Sequence, residues 1–294
     1  MITLRGLTKR FGPATVLDAL DLDIPTGQRV ALVGSNGAGK TTLFRCLLGE
    51  YRHDGEIRID GRDPRRDRTQ VLRHVGFVPQ VAPPLAMPVG ELLRFVAETC
   101  EADEGAMVAV ADRLGLDVAA IRRRPFVKLS GGMKQKLLIA AALGRDARLL
   151  ILDEPAANLD PAARAALFDM LAERASAAMI VSSHRLDEIA PLVNRVVELQ
   201  QGRVALDDTV SNAGGLGTRF LCKLSLARAD AAFARAAADW GLTPDAAGRD
   251  WAGVLAGPDR LAFLGFAARH SGLISALQIM EASHDADAPH PSRV

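Results

Sequence analysis

The hydrophobic pattern of the first two-thirds of the chain predicts strands that alternate with helices. Apolar and polar residues alternate in LDLDI, at 20–24, as they do in a strand with one buried face. The run RVALVG, at 29–34, is continuously apolar and predicts a strand that is covered on both faces. Further strands are predicted at residues 56–60, 75–79, 148–155 and 178–184. Strands and helices in alternation indicate a largely parallel sheet with helices on both faces.

Helical periodicity dominates residues 89–143 and predicts a helical insert within this alternation. A proline at the first position favours another helix over residues 161–175. Residues 196–206 predict a hairpin that turns at Gln201 and Gly202. The chain therefore combines a strand-rich core with a helical segment in its middle.

The pattern changes after residue 210, which divides the chain into two predicted domains. We expect a first domain at 1–210, with an α-helical subdomain at about 82–143. The segment SNAGGLG predicts a linker, and residues 218–282 read as a small βαβαβ domain. The polar tail, 283–294, is predicted to be disordered.

Composition excludes several classes of protein. Hydrophobic residues make up 49% and charged residues 24% of the 294 residues, which is typical of a globular chain. The formal net charge of +1 gives no general attraction to nucleic acid or to a membrane surface. The three cysteines are widely spaced and match neither a metal site nor a disulfide framework. The N-terminus shows no signal-peptide pattern and no apolar run is long enough to span a bilayer, so we expect a cytoplasmic protein.

The stretch GSNGAGKTT, at 34–42, has the spacing of a phosphate-binding loop between a strand and a helix. Glycines let several backbone N–H groups point into one concavity, and the helix that follows adds its positive N-terminal end. Lys40 can then reach the terminal phosphates of a nucleotide, and the Thr41 hydroxyl can ligate Mg²⁺. A glycine-rich strand-to-helix turn without a ligand is the alternative, which the flanking strand and helix disfavour.

Two further segments carry candidate chemistry. The predicted strand LLILDEP brings Asp153 and Glu154 to the carboxyl edge of the sheet, where open α/β sheets bind ligands. One carboxylate can support Mg²⁺ while the other orients or deprotonates a water molecule. A second helix N-terminus that could bind an anion is predicted at Ser130, Gly131 and Gly132. Taken alone, the first segment could also be an exposed acidic strand end and the second an ordinary capped helix, neither of which would bind a ligand.

Six motifs in this order make the chain resemble the ATP-binding cassette (ABC) family, the motor subunits of ABC transporters. GSNGAGKTT resembles the Walker A loop, LSGGM resembles the LSGGQ signature, and LLILDEP resembles Walker B. Gln80 lies where the family has its Q-loop glutamine, and Asp160 in NLD resembles the D-loop aspartate. His184 in IVSSH lies where the family has its switch histidine. Phe11 occupies the place of an aromatic residue that stacks on adenine. The resemblance covers about residues 1–210. It implies a P-loop NTPase of the α/β class, with a mixed sheet core, an α-helical subdomain and here a small C-terminal α+β domain.

The resemblance also implies roles for these residues, with ATP and Mg²⁺ as ligands. Lys40 would bind the β- and γ-phosphates, Glu154 would be the general base, and His184 would contact the γ-phosphate. Gln80 would touch the metal and the attacking water. The metal ligands would be Thr41, Gln80 and Asp153. The implied nucleotide contacts are Phe11, Gly34, Ser35, Asn36, Gly37, Ala38, Gly39, Lys40, Thr41, Thr42, Ser130, Gly131, Gly132 and Asp160.

The family resemblance implies two partners. In a head-to-tail dimer, Ser130 and Gly132 would cap the ATP that the second copy holds. A transmembrane permease would dock on the segment after Gln80, so that the chain lies at the inner face of the cell membrane. The signature has Met133 where the family has glutamine, and a thioether cannot replace the hydrogen bonds of that amide. We expect hydrolysis to survive this change.

The small C-terminal domain resembles the accessory region of ATPases that work with ABC-2 type exporters, which predicts an exporter subunit. The alternative function is a soluble ABC ATPase that remodels a ribosome, DNA or a protein complex. The short basic clusters at 65–68 and 122–124 give that alternative little support, because such clusters are usually solvated. In a third interpretation, the C-terminal domain is a small-molecule sensor that regulates the ATPase.

Overall fold

A computed structural model describes residues 1–183, 186–209, 219–256, 259–270 and 272–281. The chain forms two compact units, residues 1–209 and 210–294. The strands of the first unit are β1 (Ile2–Phe11), β2 (Ala14–Ile24), β3 (Arg29–Val33), β4 (Asp54–Ile59), β5 (Val75–Val78), β6 (Leu149–Asp153), β7 (Ala178–Ser182), β8 (Arg195–Gln200) and β9 (Arg203–Thr209). Its helices are α1 (Lys40–Leu47), α2 (Arg68–Leu72), α3 (Val89–Cys100), α4 (Glu104–Arg113), α5 (Val118–Ile121), α6 (Gly131–Leu143), α7 (Pro161–Ala172) and α8 (Leu186–Ile189).

The first unit contains two sheets rather than one. The larger sheet has the order β5-β6-β7-β3-β8-β9, in which only β9 runs antiparallel to its neighbour. A second, antiparallel sheet has the order β2-β1-β4. The prediction of a mixed sheet core is confirmed. The expectation that residues 20–24 and 56–60 join a largely parallel sheet is wrong, because β2 and β4 both pair with β1.

One buried cluster holds the two sheets and α1 together. It includes Leu4 and Leu20 from the antiparallel sheet, Phe44 from α1, and Ile151 and Ile180 from the larger sheet. The buried apolar residues of α1, which are Leu43, Phe44, Cys46 and Leu47, lie on one face of this amphipathic helix. This packing fixes the start of α1 against the carboxyl ends of β3 and β6, where the candidate site lies.

The helical segment is formed by α3, α4, α5 and α6, as the periodicity predicts. Asp103 and Asp117 cap the N-termini of α4 and α5, each by accepting backbone N–H bonds. The hairpin of β8 and β9 turns at Gln201 and Gly202, which both have positive φ, and this prediction is also confirmed. No helix in the described part of the chain is long and apolar enough to cross a membrane.

The second unit has the strands β10 (Arg219–Leu226), β11 (Thr243–Pro244), β12 (Asp250–Ala256) and β13 (Ile274–Glu281), with α9 (Ala231–Ala238) and α10 (Arg260–Arg269). Its antiparallel sheet has the order β11-β12-β10-β13. This βαββαβ topology contains one strand more than the predicted βαβαβ pattern. The additional strand, β11, has two residues and carries no periodic signal. The predicted linker at 211–217 and the predicted disordered tail at 283–294 lie outside the described residues.

An aromatic cluster forms the core of the second unit. Phe233 from α9 and Phe263 and Phe266 from α10 pack together with Trp251 of β12. The ring of Phe233 meets Trp251 edge-on, with 5.8 Å between ring centroids. This core is separate from the cluster that holds the first unit together.

Candidate functional site

The glycine-rich loop between β3 and α1 adopts a conformation that needs its glycines. Gly34, Gly37 and Gly39 have φ values of 144°, 85° and 107°. A Cβ atom at Gly34 would lie 2.3 Å from the carbonyl oxygen of Leu199. A Cβ at Gly39 would lie 2.8 Å from Leu17 Cδ2, so both positions also exclude a side chain by contact. The loop therefore passes closer to β2 and β8 than any other residue would allow.

Lys40 places a positive charge within this loop. Its Nζ donates hydrogen bonds to the carbonyl oxygens of Gly34, at 2.6 Å, and Ser35, at 3.2 Å. Burial lowers the pKa of the Lys40 ammonium, and the nearby carboxylates of Glu154 and Asp153 act in the opposite direction. A charged group that burial destabilises is ready to gain from an anionic ligand such as a phosphate.

Asp153 is held at the end of β6 by two hydroxyl groups. Its Oδ2 accepts a 2.8 Å bond from Thr41 Oγ1, and its Oδ1 accepts a 2.7 Å bond from Ser182 Oγ. The side chain is almost fully buried, with 2% of its surface exposed. These contacts join the first turn of α1 to the ends of β6 and β7, and they fix the carboxylate in one orientation.

Ser182 was not singled out in the sequence, although it contacts both acidic residues. Its Oγ accepts a 3.0 Å bond from the backbone N–H of Glu154. In the parallel register, Ser182 lies directly beside Asp153. In the sequence, the feature that could have identified Ser182 is its position near the end of the predicted strand 178–184, which follows the acidic strand end in the alternating pattern.

Glu154 directly follows β6 in a left-handed conformation, with φ of 50°. Non-glycine residues rarely adopt this conformation, and it is frequent where surrounding contacts impose strain at functional sites. The backbone N–H of Glu154 bonds to Ser182, which supports the turn. The conformation gives the chain a sharp change of direction between Asp153 and Pro155.

A cavity of about 490 Å³ brings the predicted residues together. Its lining is Val16, Asn36, Gly37, Ala38, Gly39, Lys40, Thr41, Thr42, Gln80, Asp153 and Glu154. The loop, the glutamine after β5 and the acidic end of β6 therefore meet at one place, as the sequence predicts. Val16 is the one lining residue that the sequence did not suggest.

Phe11 lies outside the lining of this cavity. It is 44% exposed at the end of β1 and meets Tyr51 edge-on, with ring centroids 5.3 Å apart. Lys9 Nζ lies 4.4 Å from the centre of the Phe11 ring. Stacking on adenine would use this exposed ring, and the role remains a prediction.

The signature residues Ser130, Gly131 and Gly132 begin α6 and do not line the cavity of their own chain. Ser130 caps the helix, because its Oγ accepts a 3.3 Å bond from the backbone N–H of Met133. Ser130 and Gly131 are exposed. The N-terminus of α6 therefore presents its polar residues to the surroundings of the chain.

Two side chains of α6 tie this helix to the segment after Glu154. Gln135 Nε2 donates a 2.9 Å bond to the carbonyl oxygen of Pro155, and Lys136 Nζ lies 2.7 Å from Asp160 Oδ2. The hydrogen bond from Lys136 lowers the pKa of the Asp160 carboxyl. Asp160 also caps α7 by accepting a 2.9 Å bond from the N–H of Ala163. His184, the predicted switch histidine, lies outside the described residues.

The oxygen donors of the site fit Mg²⁺. The described residues contain no group of three or more His, Cys, Asp or Glu side chains that could hold a metal by themselves. Mg²⁺ is commonly held by one or two protein oxygens together with phosphate oxygens and waters. The paired Thr41 hydroxyl and Asp153 carboxylate, beside the phosphate loop, are such a donor set, and Gln80 lines the same cavity.

Comparison with known proteins extends these observations. The family model described as ABC transporter matches residues 17–157. The lipoprotein-releasing system ATP-binding protein LolD of Chromohalobacter salexigens is 37% identical over 229 residues, which cover 70% of this chain and 94% of that protein. The phosphonates import ATP-binding protein PhnC of Anaeromyxobacter dehalogenans is 35% identical over 250 residues, which cover 79% of this chain and 49% of that protein. The chain thus spans about half the length of this second relative.

The fold is also similar to that of solved ABC transporter structures. An ATP-binding subunit of an ABC transporter superposes with a TM-score of 0.65 and 26% sequence identity, over 71% of this chain and 90% of that one. The phosphate loop, the acidic strand end and the signature helix lie within residues 17–157, which the family model matches. The chain belongs to the ATP-binding proteins of the ABC transporter family.

Proposed function

We propose that this chain binds and hydrolyses ATP with Mg²⁺ and drives transport through a separate transmembrane permease. The observation that carries the proposal is the cavity in which the phosphate loop, Gln80, Asp153 and Glu154 converge. Each part of that lining has a function toward a triphosphate, and the family membership makes ATP the expected nucleotide. The comparisons name transport proteins, which favours transport over the remodelling of a ribosome, DNA or a protein complex.

In the proposed hydrolysis of ATP, different residues bind the phosphates, orient the attacking water and accept its proton. The backbone N–H groups of the loop and the Lys40 ammonium bind the β- and γ-phosphates. Glu154 accepts the proton of the attacking water as general base, and Gln80 orients that water. The hydrogen bonds that Thr41 and Ser182 donate hold the Asp153 carboxylate in the orientation that a metal ligand needs. Bound Mg²⁺ would neutralise negative charge on the phosphates. His184 contributes a contact to the γ-phosphate in this proposal.

The position of the signature residues supports a head-to-tail dimer. Ser130, Gly131 and Gly132 lie outside the cavity of their own chain, and the helix that they begin offers backbone N–H groups to an anion. In the proposed dimer they cap the ATP of the second copy, together with Asp160. ATP binding closes the dimer, and hydrolysis reopens it.

Exposed apolar side chains near Gln80 support a permease partner. Val81 is 77% exposed, Phe95 on α3 is 55% exposed, and Val127 is 39% exposed. Val127 belongs to a short turn whose backbone bonds to the segment after Gln80, through Leu85. A helix of the permease with an apolar face would cover these side chains. This contact would hold the chain at the inner face of the cell membrane.

Within the family, we propose an ABC-2 type exporter subunit. The small C-terminal unit supports this finer assignment by its resemblance to the accessory region of such ATPases. Among the relatives, LolD belongs to a releasing system and PhnC to an import system, so the names of the relatives do not select between an exporter and an importer. Co-purification from detergent-solubilised membranes tests the assignment. A six-span permease identified by mass spectrometry would support it, whereas ribosomes, DNA or a soluble complex would favour remodelling.

The ATPase proposal itself is tested with the purified chain. We expect Mg²⁺-dependent release of phosphate from ATP, loss of nucleotide binding in Lys40→Ala, and an ATP-trapped dimer in Glu154→Gln. Light scattering after gel filtration measures the dimer, and a fluorescent ATP analogue measures binding. Undiminished hydrolysis by Glu154→Gln would contradict the role of the general base. Tight binding by Lys40→Ala would contradict the assignment of the phosphate loop.

A further inference from the structure

The outer strand β13 leaves one long edge of the C-terminal sheet without a neighbour among the described residues. β13 extends over eight residues and pairs on one side only, with β10. A bulge at Ser275 disturbs the start of β13, and residues 276–281 beyond it pair with β10 in a regular ladder. Its sequence, ISALQIME, contains no proline, no lysine or arginine, and one ionisable residue at its last position. Proteins usually protect an edge of this length with charges, prolines or bulges, because its free N–H and C=O groups can pair with another strand.

The opposite edge of the same sheet is protected. There, β11 has only two residues, and one of them is Pro244. A proline lacks a backbone N–H and cannot continue a ladder, so β11 is a poor template for another strand. The two edges of one small sheet therefore differ in their capacity to pair.

Apolar side chains along β13 are incompletely covered on both faces of the sheet. Leu277 and Ile279 lie on the helix-covered face, opposite Leu224 and Cys222, which are fully buried. Leu277 and Ile279 themselves are only partly buried at the rim of the aromatic core. On the other face, Met280 is 45% exposed. A strand added along β13 would cover all three of these side chains.

We propose that β13 is an interface at which two copies of this chain pair edge to edge, so that two four-stranded sheets become one. An antiparallel edge is complementary to an identical edge that is rotated about a twofold axis, because donors and acceptors then face each other. Such an axis keeps the helices of both copies on one side of the sheet. It places residues of the same face opposite each other, with Leu277 or Gln278 next to the axis. This pairing needs no nucleotide, unlike the proposed dimer of the ATP-binding units.

The size of the contact predicts its strength. Eight residues of antiparallel strand span roughly 27 Å. A contact of this length is small for a protein interface, so we expect weak, concentration-dependent pairing.

The test compares full-length variants without nucleotide. In Gln278→Lys/Met280→Lys, two side chains of β13 on the face away from the helices become positive. In the paired edges, these lysines lie opposite or diagonal to those of the other copy, which destabilises pairing. The matched control is Val254→Lys, which changes a 53% exposed residue on the same face of the inner strand β12. Apyrase treatment removes nucleotide, and circular dichroism melting checks that all three proteins are folded.

Sedimentation velocity from about 1 to 200 µM measures association over the range in which a small interface is expected to be weak. We expect the unmodified chain to shift from 31.3 kDa toward twice that mass, and Val254→Lys to behave in the same way. The double lysine variant should associate at least about tenfold more weakly, as one or two repulsive cross-strand pairs would cause. Hydrogen exchange of residues 274–281 should slow with concentration in the unmodified chain alone.

Three outcomes would overturn the proposal: a monomeric unmodified chain at every concentration, a double variant that dimerises normally, or equal disruption by Val254→Lys. A Glu154→Gln background with ATP separates the two kinds of dimer. If the proposed function holds, that dimer forms even in the double lysine variant. If ATP induces no dimer while the nucleotide-free chain pairs through β13, the proposed function fails and this inference stands.

Discussion

At the scale of single residues, hydroxyl groups determine how the acidic end of β6 is used. Asp153 accepts bonds from Thr41 and Ser182, and the second hydroxyl also receives the backbone N–H of Glu154. A buried carboxylate depends on such donors, because an unsatisfied charge in a protein interior is costly. One serine thereby fixes both the acid assigned to the metal and the backbone of the acid assigned to catalysis.

Removing the Ser182 hydroxyl tests this arrangement. We expect Ser182→Ala to lower the free energy of unfolding by about 1–3 kcal/mol, because it deprives a buried carboxylate of a hydrogen-bond donor. We also expect a lower kcat for ATP hydrolysis, since the backbone of Glu154 loses a contact. Urea unfolding and phosphate release measure these effects. The control is Ser225→Ala, which removes an exposed hydroxyl from Asp250 and should change stability little. Equal stability losses in both variants would contradict the role of Ser182.

The lowered pKa of Lys40 predicts how ATP binding depends on pH. Burial holds the pKa of this ammonium below the ordinary lysine value of 10.5, so the free protein loses the proton at a lower pH than an exposed lysine would. Between the two values the unfolded chain binds more protons than the folded chain, so the stability of the ligand-free protein rises with pH. ATP affinity should fall over the same range, because the phosphates lose a cationic partner.

Fluorescence titrations with an ATP analogue between neutral pH and the stability limit measure this fall. Lys40→Arg is the control, because its guanidinium stays protonated throughout the range. That variant should bind more weakly than the unmodified chain but without the alkaline loss. A parallel decline in both proteins would assign the pH effect to another group.

At the scale of secondary-structure elements, α6 links the two halves of the proposed ATP site within one chain. Its N-terminus carries the signature residues, while Gln135 and Lys136 contact Pro155 and Asp160. The Lys136 side chain is 14% exposed and the Asp160 side chain is 52% exposed, so solvent screens this ion pair from the side of the carboxylate. A movement of the segment after Glu154 would therefore be passed directly to the helix that, in the proposed dimer, caps the ATP of the second copy.

Breaking the Lys136–Asp160 contact should impair hydrolysis more than nucleotide binding. We expect Lys136→Met to reduce kcat several-fold, while the affinity of the monomer for ATP is unchanged. Lys136→Arg should retain most activity, because it keeps the charge. Lys134→Met, on the same helix, is the matched control. Steady-state ATPase kinetics measure kcat for each variant. Equal losses of kcat in the two methionine variants would contradict a specific role of the Lys136–Asp160 contact.

The elements differ in how far their partners could be predicted from the sequence. The hydrophobic run of β3 and the loop after it predict a buried strand followed by α1, which the structure confirms. The strands at 20–24 and 56–60 were also predicted, but their sheet was not. Their alternating pattern identifies one buried face, which fits an edge of a mixed sheet and a separate antiparallel sheet equally well.

At the scale of the whole molecule, each of the two units has a hydrophobic cluster of its own among the described residues. Phe44 is fully buried in the cluster of the first unit, and Phe233 is fully buried in the aromatic cluster of the second. Each cluster draws its residues from its own unit in the described part of the chain. Units with separate cores can unfold as separate cooperative transitions.

Calorimetry with Phe233→Ala tests this independence. Removal of a buried phenylalanine side chain typically costs about 3–5 kcal/mol, so the transition of the second unit should move to lower temperature. The transition of the first unit should stay in place, and ATP with Mg²⁺ should raise that transition alone. Phe44→Ala is the converse control. A single transition that shifts in both variants would show that the two cores unfold together.

The sequence by itself determined the phosphate loop, the acidic strand end, the signature helix and the order of most elements. These features are local, because spacing, glycine content and periodicity act over a few residues. Tertiary structure alone decided the pairing of β1 with β2 and β4, the bond from Ser182 to Asp153, the ion pair of Lys136 and the open edge of β13. Each of these depends on which segments, far apart in the chain, become neighbours when the cores form. A residue's own neighbours along the chain carry little information about that choice.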